Sequence, residues 1–223
     1  MRLYVLCEGE TENRFVKNIL YDYLVAHGIY AIPRTVHTKK LTTGKAHKGG
    51  VSSYAKIRKD LYLLCKEQEN SGMVTTMFDF YKLPSDTPGF KDAKGNIYER
   101  AEHIENAIQA DLGDPRNVYV NLIVHEFEGL LFSNTNAFLG VANTSDKVVA
   151  ELRKILEAFE TPEHINDSEM TAPSKRIARL IPEYSKTLNG IEVAERIGID
   201  GIASQCRHFG QWVAKVKELA KNQ

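Results

Sequence analysis

The alternation of short apolar runs with amphipathic stretches in the first half of the chain constrains the fold more than any other feature. Amphipathic stretches at helical spacing lie at residues 12–26, 52–67 and 98–111. The apolar runs that surround them predict four strands, at residues 3–7, 31–36, 74–78 and 117–124. Because each run is apolar nearly throughout, we expect an α/β fold with a mostly parallel sheet whose two faces are covered by helices.

The second half of the chain has a different, helical pattern. Its predicted helices are residues 127–132, 146–159, 173–180, 192–197 and 209–219. A linker rich in Pro, Gly and Ser would mark a domain boundary, and the sequence has none between the halves. We therefore expect an α/β core over residues 1–135 and a helical C-terminal portion over residues 136–223 packed on it. A separate helical domain is the alternative.

The basic residues are concentrated in one segment, although the chain as a whole has equal numbers of basic and acidic residues. No acidic residue lies between Asp22 and Asp60. The same segment contains Arg34, Lys39, Lys40, Lys45, Lys48, Lys56, Arg58 and Lys59. Such a segment creates a local positive field that attracts polyanions such as DNA or RNA. The alternative is a solvated basic surface without a partner.

The cysteines and the apolar runs bear on the compartment. Cys7, Cys65 and Cys206 are odd in number, far apart in the sequence and without the spacing of a metal site, which argues against a disulfide framework. We expect a reducing, cytoplasmic environment. No apolar stretch approaches the roughly 20 residues that a membrane-spanning helix needs, so we expect no membrane association.

Acidic residues follow three of the four predicted strands. Glu8 follows the first strand, Asp79 the third, and Glu126 and Glu128 the fourth, while Glu12 lies one turn into the first helix. In open α/β sheets, ligands bind beyond the carboxyl ends of the strands, so we expect these side chains to share one crevice. Carboxylates are the ligands that Mg²⁺ or Mn²⁺ prefers. Alternatively, each of these acids has only a structural role, as a helix cap or as a first-turn residue that the helix dipole favours.

Other catalytic motifs are incomplete. Gly44-Lys45-Ala46 lacks the upstream glycine and the Ser or Thr of a P-loop. The segment that begins at His125 has Gly129 where a zinc protease helix needs its second histidine. The sequence therefore points away from these nucleotide-binding and zinc-protease sites.

The segment Glu8-Gly9-Glu10-Thr11-Glu12, followed by Phe15, resembles the first motif of Toprim-type nucleases, notably the overcoming-lysogenisation-defect class. The whole chain is still more similar to an uncharacterised bacterial family of unknown function with a Toprim-like core. That similarity runs nearly end to end and includes Asp79-Phe80-Tyr81-Lys82-Leu83-Pro84-Ser85-Asp86, His125-Glu126-Phe127-Glu128-Gly129-Leu130-Leu131-Phe132 and Thr171-Ala172-Pro173-Ser174-Lys175-Arg176.

The resemblance implies a Toprim or Rossmann-like sheet and Mg²⁺-dependent cutting of nucleic acid. It also implies a partner ATPase of the ABC or SMC type within an antiphage system. Glu8 matches the Toprim glutamate, a metal ligand or general acid/base, and Glu12 matches the second glutamate of the motif. Asp79 matches the first aspartate of the Asp-x-Asp motif, but Tyr81 stands at the second position. Glu126, Glu128 and Asp86 are the candidates to replace the missing ligand.

Basic residues near these motifs are candidate phosphate contacts. Lys82 follows Asp79 by one turn and either steadies a phosphate or pairs with Asp79. Lys175 and Arg176 open the helix that follows Pro173, where free N–H groups favour an anion. Lys39, Lys40, Lys45 and Lys48 are the corresponding candidates in the basic segment.

Three functions remain open at this point. The first is a Mg²⁺- or Mn²⁺-dependent nuclease whose basic segment tracks the phosphate backbone. The second is a non-catalytic Toprim-fold subunit that binds an ATPase. The third is a small-molecule phosphoesterase that uses the same crevice. Homo-oligomerisation also stays open.

Overall fold

The fold is seen in a computed structural model, which describes residues 1–36, 53–166 and 169–221. The strands are β1 (Arg2–Cys7), β2 (Tyr30–Thr35), β3 (Met73–Asp79), β4 (Val118–Tyr119) and β5 (Leu122–Ile123). The α-helices are α1 (Glu10–Phe15), α2 (Tyr21–Val25), α3 (Tyr54–Glu67), α4 (Ile97–Asp111), α5 (Phe127–Leu130), α6 (Asp146–Glu157), α7 (Pro173–Leu180), α8 (Ile191–Gln205) and α9 (Arg207–Lys221).

Shorter helical turns join these elements. The π-helical turns are Val16–Leu20, which links α1 to α2, and Lys186–Gly190, which precedes α8. The 3₁₀ segments are Phe80–Lys82, Leu131–Phe138, Val141–Asn143, Pro162–His164 and Glu169–Thr171.

The described strands form a parallel sheet in the order β2-β1-β3-β4, and β5 also pairs with β3. Cys7 at the end of β1 lies opposite Thr35 of β2 and Met77 of β3, so these strands end at the same edge. The predicted α/β class, with a parallel sheet, flanking helices and a helical C-terminal part, is confirmed.

Alternate residues of β1 face two different cores. Leu3, Val5 and Cys7 lie in one core, together with residues of the C-terminal helices such as Ile202 and Trp212. Tyr4 and Leu6 lie in the other, which α3 and α4 cover. Helices from the C-terminal part therefore share a core with the first strand of the chain.

The predicted fourth strand is wrong as a single element, because it is interrupted between β4 and β5. At the interruption, Val120 N–H donates to the side-chain Oε1 of Gln109, at 3.3 Å. Asn121 N–H donates to Thr76 Oγ1 at 2.9 Å, and that hydroxyl donates to the Asn121 carbonyl at 2.6 Å. The backbone here forms hydrogen bonds with side chains of α4 and β3. In a regular β-ladder it would form them with backbone groups of the neighbouring strand.

The first and eighth helices also differ from the prediction. The first begins at Glu10, two residues earlier, because the Glu12 carboxylate accepts the backbone N–H of Gly9 and caps the helix. The predicted helix 192–197 extends to Gln205, and Gly198, with a φ of 73°, bends it. The bounds of α7 agree with the prediction.

The described residues hold three free, buried cysteines, as the absence of a disulfide pattern predicts. Among the described helices, none has the length and apolar character to cross a membrane.

We predict that the Trp212 side chain stabilises the fold partly through one buried hydrogen bond. Its indole Nε1–H donates to Thr75 Oγ1 at 3.0 Å and so joins α9 to β3, with both side chains buried. Trp212→Phe leaves that hydroxyl without its donor and opens space in the core. It should lower the free energy of unfolding in urea by about 2–4 kcal/mol.

A double-mutant cycle isolates the hydrogen bond from the change in packing. Adding Thr75→Val to Trp212→Phe removes the orphaned hydroxyl and should cost less than Thr75→Val costs in the unsubstituted protein. Strictly additive losses would contradict a role for the hydrogen bond.

Candidate functional site

Five acidic side chains gather where β1, β3 and β5 end. Glu8 follows β1, and its backbone N–H donates to the Met77 carbonyl of β3 at 3.2 Å. Asp79 ends β3 and lies opposite Ile123 of β5. We call the five residues of this region the carboxylate cluster: Glu8, Glu12, Asp79, Glu126 and Glu128.

Asp79 lies at the centre of the cluster and is 1% exposed. Its Oδ1 accepts the backbone N–H of Phe127, at the start of α5, at 2.9 Å. Its Oδ2 pairs with the Lys82 ammonium at 2.5 Å, an arrangement that the 3₁₀ turn Phe80–Lys82 makes geometrically direct. Each oxygen of this buried carboxylate therefore has a separate donor, as a buried charge requires.

Glu8 and Glu12 lie near Asp79, and its charge acts on both. Glu8 Oε2 accepts the backbone N–H of Asp79 at 3.4 Å, and Glu12 Oε2 accepts that of Gly9 at 3.0 Å. A Cβ at Gly9 would lie 3.3 Å from Glu12 Oε2, so a glycine leaves room for this carboxylate. Glu8 is partly exposed, whereas the other four acids are buried, so solvent reaches the cluster on the Glu8 side.

Glu126 and Glu128 connect the cluster to the C-terminal part. Glu126 Oε2 accepts the backbone N–H of Ser174, in the first turn of α7, at 3.1 Å, while its Oε1 lies 3.9 Å from Lys82 Nζ. Glu128 Oε1 lies 2.7 Å from Lys186 Nζ. The helix terminus that we expected to bind a phosphate therefore holds the Glu126 carboxylate.

The cluster raises the pKa of several of its own acids. Burial, and then the charge of Asp79, raise the pKa of Glu8 to about 8. The same two causes raise the pKa of Glu12 to about 7. Burial also raises the pKa of Glu128, against the opposing charge of Lys186. Although burial opposes it, the charges of Asp79 and Glu8 raise the pKa of the Lys82 ammonium above its ordinary value.

The charges of the cluster fit a divalent cation, although its present side-chain positions are not a coordination shell. The groups that could bind the ion are all carboxylate oxygens, the ligand type that Mg²⁺ takes. Among the described residues, only Lys82 and Lys186 form ion pairs with the five acids. In the described part of the chain, no three acidic, histidine or cysteine side chains are already arranged to hold a metal ion. The cluster is instead partly neutralised by its own lysines.

The turn that carries Lys82 is held by His125. The His125 carbonyl accepts the backbone N–H of Tyr81 at 3.1 Å, and His125 itself has a φ of 63°. Its Nδ1 lies 3.2 Å from Asn166 Nδ2, and burial, before the charges of His164 and Arg100, lowers its pKa to about 4. This histidine is therefore neutral near pH 7 and has a structural position.

The other predicted site residues make contacts outside the carboxylate cluster, are exposed, or lie outside the described residues. Asp86 Oδ1 accepts the backbone N–H of Tyr54 at the start of α3, at 3.0 Å. Lys175 is exposed, whereas Arg176 Nε donates to the Thr171 carbonyl at 2.6 Å and its guanidinium lies 5.1 Å from the Phe159 ring centroid. Lys39, Lys40, Lys45 and Lys48 lie outside the described residues.

Sequence reasoning missed three contributors from the C-terminal part, namely Ser174, Tyr184 and Lys186. The Tyr184 hydroxyl is buried without a hydrogen-bond partner among the described residues, and a Cβ at Gly190 would lie 2.6 Å from it. Burial, and then Glu128 and Glu126, raise its pKa, which places this hydroxyl within the field of the cluster. No spacing in the sequence connects these residues to β1 and β3.

Comparison with known proteins gave one family. Residues 7–217 match the model of a family described as "Domain of unknown function (DUF4276)". Neither the curated proteins nor the solved structures gave a match. The resemblance to Toprim-type nucleases therefore stays a prediction.

We predict that the contribution of Glu8 and Glu12 to the stability of the protein without divalent cations falls as the pH rises from about 4.5 to about 8. Because the pKa values of Glu8 and Glu12 are raised on folding, the folded state keeps protons that the unfolded chain releases. The two protonated acids contribute fully to stability below their pKa in the unfolded chain, 4.5. This contribution is lost as the pH rises through their pKa values in the folded protein. Urea unfolding at a series of pH values measures this slope.

Glu12→Gln should make the decline shallower, because an amide keeps the acceptor for Gly9 without the charge. Glu10→Gln is the matched control, since Glu10 lies in the same turn and its side chain is 62% exposed. Equal slopes for all three proteins would contradict the assignment.

Proposed function

The chain belongs to the DUF4276 family of unknown function, and we propose that it is a divalent-metal-dependent nuclease whose active site is the carboxylate cluster. The observation that supports this proposal best is the excess of buried acids over lysines at the carboxyl edge of a parallel sheet. Ligands of open α/β proteins bind at this edge. A buried excess of like charge is unfavourable unless a cation or protons relieve it.

Glu8, Asp79 and Glu126 are the residues that would hold Mg²⁺ or Mn²⁺. Each has one oxygen that accepts a backbone N–H, from Asp79, Phe127 and Ser174 respectively, and a second oxygen outside that bond. When bound, such an ion supplies an activated water and stabilises the charge on a leaving oxygen. The backbone bonds fix the three carboxylates before any ligand arrives, which is the preorganisation that an active site needs.

The remaining acids of the cluster and the two lysines that pair with it would orient the reacting groups. Glu12 is buried, and its carboxylate accepts the backbone N–H of Gly9, next to Glu8 in the sequence. Lys82 is 31% exposed at its side chain and is the cation closest to Asp79, so it is suited to meet a phosphate oxygen. Glu128 pairs with Lys186, whose side chain is 43% exposed.

A nucleic acid is the substrate that the charge distribution favours. Strand β2 ends beside Glu8, where Val36 N–H donates to the Cys7 carbonyl at 3.1 Å, and the basic segment follows it in the sequence. Lysines in that segment, from Lys39 to Lys48, would contact the phosphate backbone. Lys175, exposed in the first turn of α7, would add a further contact.

We predict that the purified protein cleaves DNA or RNA with Mg²⁺ or Mn²⁺ and that Glu8→Gln lowers the rate by about a hundredfold or more. The amide keeps the shape of the side chain but removes a charged metal ligand. A gel assay with labelled single-stranded and duplex substrates of both nucleic acids measures the effect.

Glu10→Gln, two residues away and exposed, should cleave at the rate of the unsubstituted protein and so controls for handling and folding. A contaminating nuclease would show itself as equal cleavage by Glu8→Gln. The proposal fails if clean protein cuts no nucleic acid with either metal, with or without an ATPase partner.

A non-catalytic subunit of an ABC- or SMC-type ATPase complex is the second candidate. One observation favours it, because each acid of the cluster is already engaged by a backbone N–H or a lysine, as structural carboxylates are. A crystal grown with Mn²⁺ separates the two functions. An ion within about 2.0–2.6 Å of Glu8 and Asp79 oxygens favours catalysis, and an unchanged Lys82–Asp79 pair with no ion favours the interaction subunit.

A further inference from the structure

Lys82 lies near two acids of the cluster, Asp79 and Glu126. At each acid, the oxygen nearer to its ammonium is the one that no backbone N–H bonds. Asp79 Oδ1 accepts Phe127 N–H, and its Oδ2 is the oxygen that pairs with Lys82. Glu126 Oε2 accepts Ser174 N–H, and its Oε1 is the oxygen that lies 3.9 Å from Lys82 Nζ. At both acids, the ammonium therefore faces the oxygen that the backbone does not hold.

We propose that Lys82 is an internal counter-ion that a divalent cation displaces from Asp79 when it binds, so that the same lysine is released toward the substrate phosphate. This inference rests on the proposed function, because it assumes that the cluster takes a metal. Beyond that function, Lys82 is the group that competes with the metal for Asp79, and the substrate phosphate is its new partner.

Repulsion between the two cations favours the displacement. A divalent cation that uses Asp79 Oδ2 and Glu126 Oε1 would share its acceptors with a positive ammonium, and the two cations repel each other at such short range. The backbone donors Phe127 N–H and Ser174 N–H do not compete, since they bond to the opposite oxygens. Lys82 is therefore the group that we expect to move.

The position of Lys82 allows that movement. The lysine belongs to a three-residue 3₁₀ turn, and its side chain is 31% exposed, while Asp79 is buried. A lysine has a flexible four-carbon stem, so its ammonium can turn to solvent without a change of the backbone. There it meets the charge of an incoming phosphate group, and metal binding and substrate binding become coupled.

The first test measures Mn²⁺ affinity by isothermal titration calorimetry on the full chain. Lys82→Met removes the competitor and should bind Mn²⁺ about tenfold tighter or more than the unsubstituted protein. Its nuclease activity should fall, because the phosphate loses its cation. Lys82→Arg keeps a cation and should leave the affinity near that of the unsubstituted protein.

Lys154→Met is the matched control. Lys154 pairs with Glu151 three residues earlier, at 2.8 Å, as Lys82 pairs with Asp79, but its pair is exposed and lies on α6. Its removal should leave Mn²⁺ affinity unchanged. Equal or weaker Mn²⁺ binding by a folded Lys82→Met protein would overturn the inference.

A second test uses the unsubstituted protein and so does not depend on the folding of a variant. Lysines are labelled briefly with acetic anhydride, and the extent at each residue is read by mass spectrometry. Mn²⁺ should increase the labelling of Lys82 severalfold and leave that of Lys154 unchanged. If Mn²⁺ binds but Lys82 labelling stays constant, the inference is wrong; if calorimetry shows that Mn²⁺ does not bind at all, the proposed function fails with it.

Discussion

The Asp79 carboxylate is the contact through which the parts of the site depend on one another. It ends the central strand β3, accepts the first backbone N–H of α5 and pairs with the lysine of the next turn. Loss of either partner would leave one oxygen of a carboxylate that is 1% exposed without its donor, which is a severe penalty in a protein interior. The direction in which the chain leaves β3, the start of α5 and the place of Lys82 are therefore fixed together.

The same arrangement recurs around Asp79, and it explains how a group of acids can be held without becoming inert. Glu8, Glu12 and Glu126 each accept a backbone N–H with one oxygen, which fixes the side chain and joins β1, α1 and α7 to the edge of the sheet. A carboxylate has about four acceptor positions, so one such bond leaves most of them open. Each acid is thus held through one oxygen and keeps acceptor positions on the other.

The sheet and its acids could be predicted because both depend on local pattern, whereas the other half of the site could not. Uniformly apolar runs identify β1 and β3, and acids that follow them must lie at one edge of a parallel sheet. The break between β4 and β5 depends on the hydroxyl of Thr76, 45 residues away, and no composition signal marks it. Lys186 and Ser174 reach the cluster only because helices of the C-terminal part pack on the sheet. The pairing of Lys82 with Asp79, in contrast, is one of the two alternatives that their spacing in the sequence predicts.

The imbalance of charge in the cluster is itself an argument that the site has a function. Burial, and then the charge of Asp79, raise the pKa of Glu8 to about 8 and that of Glu12 to about 7, and so destabilise their ionised forms near neutral pH. Proteins retain such locally unfavourable groups mainly where a ligand needs them. Either protons or a cation can relieve the excess of carboxylates over lysines, and the proposed metal site is the case in which a divalent cation does so.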